Sequence, residues 1–310
     1  MTQPPIEKSI VKYKGSHSAE NIEVAHVGIC ESDKQKIRGE SKVRFLGHEL
    51  VGIDKNSGHP IVINPNIPCM KCEMCRRGLY NLCSKETAIG TTVDGGLKGN
   101  LSVPNANIFS LDKLDKKYAF CDPLAVILHG LSLVKLRKKN SILILGDGSL
   151  AKLLIWYLNR IGFVPSISRR HADYPLQNLH IAEEYKLNNV NTHKYDIVFD
   201  CTGFRQDTAI NYGISHVVPR GCFLCYGVYP LDYATSFNLR SLFEHEVIIQ
   251  GVRSFLPQDF NRAINIMSSI DFLNLDFLTI KVLTVDRIKE INQSIFTRGI
   301  DKVIIDMSVS

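Results

Sequence analysis

Four cysteines packed into one short stretch restrict what this chain can become more than anything else in it. Cys69, Cys72, Cys75 and Cys83 stand in PCMKCEMCRRGLYNLC at gaps of two, two and seven residues. Thiolates are soft ligands that suit zinc or iron–sulfur clusters, and a structural zinc takes four protein ligands with no open position. The spacing makes a ready tetrahedral site, and zinc is its expected occupant. Four unrelated buried cysteines are the plain alternative, at odds with so tight a cluster. A disulfide knot fits less well, because nothing else in the chain suggests secretion.

The 310 residues leave room for two domains, each with its own core. A 45% hydrophobic and 22% charged content is that of an ordinary soluble protein, and no apolar run is long and charge-free enough to span a membrane. The start, MTQPPIEK, is no signal peptide. Of nine cysteines, five are scattered outside the quartet, which fits a reducing cytoplasm where thiols serve as ligands or core fillers. The net charge of +6 is spread along the chain. Without a basic tract or interleaved aromatics it argues against nucleic acid and leaves small anionic molecules open as partners.

The N-terminal third alternates polar and apolar residues in short segments, Ile10 to Lys14, Ile22 to Ile29 and Val43 to Ile53, which predicts a β-rich unit. Two chemical features lie in it: Cys30 in GICESD, and Gly47-His48-Glu49 in LGHELVG. A thiolate and an imidazole brought together from separate loops supply the mixed sulfur and nitrogen ligands of a catalytic zinc, which needs one more protein ligand and keeps one position open.

From about Pro123 the pattern changes to alternating helix and strand, beginning with Leu124, Ile127, Leu128 and Leu131 at helical spacing. Ser141 to Leu145 reads as a buried strand running into Gly146-Asp147-Gly148-Ser149-Leu150-Ala151, the GxGxxA form of the dinucleotide fingerprint. Gly146 allows the tight turn, Gly148 lets the backbone approach a pyrophosphate, and Ala151 permits close helix-to-strand packing. Gly146, Gly148, Ser149 and Leu150 are the expected contacts. Leu150, Leu153, Leu154, Tyr157 and Ile161 then mark one helix face.

The end of the next strand reads the adenosine ribose, where NAD enzymes place an acid. This chain has Ser168, Arg169 and Arg170 there. Two guanidinium groups and no carboxylate predict NADP(H) over NAD(H); the alternative is that both arginines are solvated and Asp173 holds the ribose. Pro165 is awkward inside this strand, since it removes a ladder donor. Tyr195 to Cys201 and Gly221 to Val228 read as the fourth and fifth strands of a doubly wound sheet, and Val247 to Val252 as the last. Cys222 and Cys225 form a CxxC within a buried strand and are expected to be structural.

Taken together, Cys30 with Ser32 and Asp33, Gly47-His48-Glu49, the cysteine quartet, Asp94-Gly95-Gly96 and CDPLAVILHGL resemble the zinc-dependent medium-chain dehydrogenase/reductase family, most closely its polyol and threonine dehydrogenase branch. The resemblance covers nearly the whole chain. It implies an α/β protein with a GroES-like β-rich catalytic domain, residues 1–122 and 259–310, and a Rossmann doubly wound parallel-sheet cofactor domain, residues 123–258. It implies Cys30 and His48 as direct ligands of a catalytic zinc and Glu49 as a ligand or its support. Ser32 takes the position of the hydroxyl that bonds the substrate alcohol and starts a proton relay. Asp122 takes the place of the last carboxylate, where the branch usually has glutamate; its neighbour Cys121 is the competing ligand. Thr202, Gly203, Gly227 and Val228 fall in loops that flank the nicotinamide, and the last strand pairs across a subunit interface in relatives, implying a homo-oligomer, dimer or tetramer.

The activity so implied is hydride transfer between NADP(H) and a secondary alcohol or ketone, a polyol or sugar derivative, with two zinc ions per chain, one catalytic and one structural. The segments from Cys30 to His48 and from Glu49 to Cys69 are shorter than in most relatives, and SGHPIVINPNIPC replaces a usual Gly-Asp-Arg-Val turn. A non-catalytic NADP(H)-binding protein that keeps only the structural zinc is therefore the alternative. A zinc module for nucleic acid or protein binding would leave GxGxxA unexplained.

Overall fold

The computed structural model of the protein describes residues 20–39, 43–170, 176–187, 192–203, 207–229 and 232–308. The chain divides into two compact units, residues 1–125 with 256–310, and residues 126–255.

Unit 1 begins with β1 (Ile22–Ile29), α1 (Glu31–Arg38), β2 (Glu49–Asp54) and β3 (Pro60–Ile63). The lobe that carries the four cysteines follows, with β4 (Asn66–Ile67), α2 (Glu73–Arg76) and β5 (Thr87–Ala88), and then β6 (Asn100–Leu101), β7 (Ile108–Ser110) and α3 (Cys121–Ser132). Strand β1 carries the alternation IEVAHVGI, but its inward residues Ile22 and Val24 change parity to Val27 and Ile29. A register shift against β2 between Val24 and His26 is the cause, since one extra residue turns the following side chains to the other face. The inward set packs on Leu46, Leu50 and Ile61.

Two expectations need adjusting here. Ile10 to Lys14 lies outside the described residues, and the strand expected over Val43 to Ile53 is only Glu49–Asp54. Residues 44–47 spend their hydrogen bonds on the Asp94-Gly95-Gly96 segment instead. Arg44 and Phe45 donate their N–H groups to Asp94 Oδ1 at 3.0 and 3.2 Å, Gly95 donates to the Phe45 carbonyl at 2.8 Å, and Gly96 to the Gly47 carbonyl at 2.9 Å. Gly47 then turns at φ +92°, a conformation that only glycine adopts without strain, and sends His48 off in a new direction.

Unit 2 contains β8 (Ile142–Leu145), α4 (Ser149–Arg160), β9 (Ser166–Arg169), β10 (Glu184–Lys186), β11 (Tyr195–Asp200), α5 (Asp207–Ser215), β12 (Val217–Cys225), α6 (Leu239–His245) and β13 (Ile248–Gly251). The sheet order is β10-β9-β8-β11-β12-β13, all parallel. That is the doubly wound order, with its reversal between β8 and β11, and in such sheets ligands bind beyond the carboxyl ends of the strands. Pro165 lies just before β9, so it removes no ladder donor, and its carbonyl accepts from Ala182 N–H at 3.0 Å. Strand β12 starts earlier than expected and stops at Cys225, which leaves Gly227 and Val228 in the loop beyond it.

The chain returns to unit 1 through α7 (Pro257–Ser268), β14 (Ile280–Thr284), α8 (Ile288–Phe296) and β15 (Lys302–Asp306). The unit 1 sheet runs β14-β15-β1-β2-β3-β7, with β6 also on β1. The unit borders fall three residues from the expected ones. The first lies inside α3. The second moves because α7 starts as one capped piece, Asp259 Oδ2 accepting the Leu256 N–H at 3.1 Å, so the whole helix belongs to unit 1. No helix among the described residues is long and apolar enough to cross a membrane.

Candidate active site and metal centres

Cys30 is the residue at which β1 becomes α1, and its extended backbone starts the helix. Asp33 in the first turn is fully buried and uses both oxygens: Oδ2 accepts the Cys30 N–H at 3.1 Å, and Oδ1 accepts Gly47 N–H at 3.4 Å. The same Oδ1 lies 3.4 Å from His48 Nδ1, close enough for an ion pair and too poorly aligned for a full hydrogen bond. The other ring nitrogen, Nε2, faces Cys30 Sγ at 3.3 Å, and Ser32 Oγ is 2.9 Å from the same sulfur. Donor atoms of Cys30, Asp33 and His48 all lie within 4.8 Å of one another.

The electrostatics of this group ask for a cation. Burial works against a charged imidazole, yet the Cys30 and Asp33 charges outweigh it and hold the His48 pKa well above its ordinary value. Burial likewise opposes the Asp33 carboxylate, but the His48 charge wins and the pKa falls to about 2. Surroundings that hold an extra proton this firmly suit a metal ion in its place. A tetrahedral zinc with sulfur and nitrogen ligands separates them by about 3.5 Å, close to the 3.3 Å observed.

Glu49 follows His48 but faces another partner. Both its oxygens accept from Lys302 Nζ at 2.6 Å, and both side chains are buried. Strand pairing sets Gly28 beside Glu49, where a Cβ on Gly28 would stand 2.0 Å from Glu49 Oε2. The absent side chain is the space the carboxylate fills. Burial opposes the Lys302 ammonium, but Glu49, with smaller help from Cys30 and Asp122, overrides it and raises the pKa. Asp122, in the first turn of α3, is pushed up to about 6 by burial, with His48 pulling down and Glu49 pushing up. Its carboxylate lies outside the compact donor set of Cys30, Asp33 and His48. Cys121 is fully enclosed, and burial followed by the Asp122 charge drives its thiol pKa well up.

The quartet forms a second donor set, again within 4.8 Å. Cys69 Sγ is 4.0 Å from Cys75 Sγ, and Cys72 Sγ is 3.8 Å from Cys83 Sγ. Zinc–sulfur bonds of about 2.3 Å give a tetrahedron with edges of about 3.8 Å, so the separations suit zinc. Backbone N–H groups point at the sulfurs: Cys72 N–H donates to Cys69 Sγ at 3.4 Å and Cys69 N–H to Cys83 Sγ at 3.3 Å. The Cys75 N–H draws the Cys72 thiol down to about 6, while burial and the adjacent thiols push Cys75 to about 12. Only a cation allows all four to be thiolates together.

In unit 2, Gly146 donates its N–H to the Ser168 carbonyl at 2.9 Å, which ties the glycine turn to β9. Gly148 is the N-cap of α4, no side chain caps the helix, and the space beside Gly148 is open. Ser149 and Leu150, half-buried, begin the helix. An uncapped helix start with open space before it fits a pyrophosphate. Ser168 is fully buried with an unpartnered hydroxyl. Arg169 is only 4% exposed and pairs with Glu184 at 2.7 Å and with Asp147 at 3.7 Å, whereas Arg170 is exposed. At the end of β11, buried Asp200 accepts from Thr202 N–H at 3.0 Å, from Thr202 Oγ1 at 2.5 Å and from the Tyr229 hydroxyl, and so links the loops that hold Thr202, Gly203, Gly227 and Val228.

With this geometry in place, likeness to known proteins adds the family. The alcohol dehydrogenase GroES-like domain family matches residues 18–113. D-arabinitol dehydrogenase 1 of Uromyces fabae is 24% identical over 264 residues, 76% of this chain and 75% of that protein. L-galactonate-5-dehydrogenase of Escherichia coli is 33% identical over 141 residues, 41% of this chain and 42% of that protein, so this match spans less than half of either. A solved structure from Sinorhizobium meliloti, described as a zinc-binding dehydrogenase bound to NADP, covers 98% of each chain at a TM-score of 0.83 and 23% identity, a likeness of fold. Residues 18–113 belong to the GroES-like family, and the likenesses together support a member of the zinc-dependent medium-chain dehydrogenase/reductase superfamily. Its GroES-like unit and Rossmann unit are the two expected of that superfamily.

Within this dehydrogenase framework, Cys30, Ser32 and His48 come together, while Glu49 is turned to Lys302 and Asp122 stands apart from the compact donors. Three residues around the sites had no role assigned from sequence. Asp33 was visible only as part of the motif. Lys302 could have been marked as a lone cation entering the apolar strand KVIID. Glu184 carried no signal, because its partner depends on which strands are neighbours.

Proposed function

We propose that this chain is a zinc-dependent oxidoreductase that moves a hydride between NADP(H) and a secondary alcohol or its ketone, with a polyol or sugar derivative as the substrate class. The observation that carries this reading is Cys30 Sγ facing His48 Nε2 at 3.3 Å, with Asp33 fixed behind the imidazole. The substrate class draws support from relatives named for D-arabinitol and L-galactonate. Cys30 and His48 would hold one zinc ion, with Asp122, which lies outside their compact donor set, as the third ligand, and Cys69, Cys72, Cys75 and Cys83 would hold the other. When bound, the first zinc polarises the substrate oxygen as a Lewis acid, while the nicotinamide gives or takes the hydride at the adjacent carbon.

The residues have separate tasks in this reading. Asp33 keeps the proton on His48 Nδ1, so that the Nε2 lone pair points toward Cys30. Ser32 can both accept and donate, and it passes the proton to or from the substrate oxygen. Asp122 is favoured over Cys121 because the Pro-Leu-Ala that follows it matches the frame of the family, and because its side chain is half-buried whereas Cys121 is fully buried. Gly148 and the start of α4 receive the pyrophosphate. NADP(H) is preferred because no carboxylate stands at 168–170 and Arg170 is exposed there. Nine cysteines, none of them paired in a disulfide, fit a cytoplasmic setting.

Elemental analysis of the purified protein tests the metal assignment directly. Two zinc ions per chain are expected, falling to one in Cys30→Ala, with oxidation of polyols by NADP lost in the same variant. A single zinc unaffected by Cys30→Ala in metal-replete buffer would sink the mechanism. The homo-oligomer is carried by β13, an edge strand whose Ile248 and Ile249 are 55% and 37% exposed. Light scattering is expected to return a dimer or tetramer; a monomer at every concentration tried would remove that part of the reading.

A further inference from the structure

We infer that Glu184 restrains the preference for NADP(H) by withholding Arg169 from the 2′-phosphate, an inference that rests on the dinucleotide reading of unit 2. Strand β10 lies beside β9 in parallel, with Glu184 opposite Ile167, two residues before Arg169 and on its face of the sheet. From there the carboxylate reaches the guanidinium with one oxygen: Arg169 Nε donates to Glu184 Oε1 at 2.8 Å, and Nη2 lies 2.7 Å from the same atom. On its other side Nη1 is 3.7 Å from Asp147 Oδ2, in the glycine turn itself. One cation stands between two carboxylates.

The consequence follows from charge and geometry. Arg169 is 4% exposed, whereas the side chains of Glu184 and Asp147 are 39% and 35% exposed, so a ligand approaching this corner meets carboxylate before guanidinium. A dianionic 2′-phosphate must break the charge-assisted bonds between Glu184 and Arg169 to gain the guanidinium. A 2′-hydroxyl carries no charge and needs no bond to Arg169, so the pair stays intact beside it. Arg170 then carries the attraction for the phosphate alone, and the discrimination is smaller than two available arginines would give. Glu184 is a positioning residue, acting through Arg169.

Binding of nicotinamide-free probes, 2′,5′-ADP and 5′-AMP, isolates the effect from catalysis and from the metal. Titration calorimetry on the native chain and on E184Q is expected to show 2′,5′-ADP tightening by at least about tenfold, the worth of one charge-assisted hydrogen bond, with 5′-AMP little changed. Combining E184Q with Arg169→Met is expected to abolish the gain, and Glu183→Gln, which faces His193 instead, to leave the ratio alone. An unchanged ratio in E184Q, with both probes still bound, overturns the inference while sparing the dinucleotide reading. A gain that survives Arg169→Met shows that Glu184 acts by its own charge and overturns the role given to Arg169. Failure of both probes to bind the native chain overturns the dinucleotide reading and the inference with it.

Discussion

Lys302→Met is expected to destabilise unit 1 by about 3–5 kcal/mol, the cost of leaving one member of a buried ion pair without its partner. Lys302 gives both of its 2.6 Å contacts to Glu49, and neither side chain reaches solvent. Its ammonium also stands 5.5 Å from the centre of the Phe120 ring, a smaller cation–π contribution that the same substitution removes. In thermal unfolding the transition is expected to fall by roughly 10 °C. Because the penalty is an uncompensated carboxylate, removing it as well is expected to recover most of the loss: Glu49→Met combined with Lys302→Met puts apolar groups where the pair stood. A single variant within about 1 kcal/mol of the native chain would show that the pair is not buried as described. Should the double variant be no better than the single, the cost would lie in packing and not in charge.

That pair also shows where reading the sequence stops. Glu49 and Lys302 are 253 residues apart, and they meet because β1 lies between β2 and β15 in one sheet. No local pattern encodes a neighbour supplied by the last strand of the chain. The quartet was legible for the opposite reason, since its ligands all come from one short loop and spacing alone fixes their geometry. The GxGxxA turn was legible because its strand and helix flank it directly. His48 and Cys30 lie between these cases: motif order implied them together, but the turn that brings His48 in depends on Asp94, whose carboxylate takes the N–H groups of Arg44 and Phe45. Period-two alternation runs straight through that turn, which is why a strand was expected there. Arg169 illustrates the limit for charge. A guanidinium next to a cofactor motif reads as available, and only the pairing of β10 with β9 reveals that Glu184 already occupies it.

If the quartet holds the zinc ion proposed for it, removing that ion is expected to unfold the lobe while the sheet of unit 1 remains. Between Cys69 and Cys83 the buried residues are Cys75, Asn81 and Cys83 itself, and the regular structure is one short helix, α2, and a 3₁₀ turn. A segment with so little apolar burial cannot offset its own ordering entropy, so the metal has to supply the difference. Structural zinc sites of this type contribute about 10–16 kcal/mol at neutral pH. Lys71, Arg76 and Arg77 are exposed within the lobe and offer trypsin its sites. Chelation, or Cys75→Ser, is expected to speed cleavage there by at least roughly a hundredfold, since a loss of only about 3 kcal/mol raises the open population by that factor. Zinc content is expected to fall from two to one in Cys75→Ser, and to none when it is joined with Cys30→Ala. Cleavage after Arg76 and Arg77 at the native rate in Cys75→Ser, with both zinc ions retained, would mean that the lobe is held by its chain and not by its thiolates.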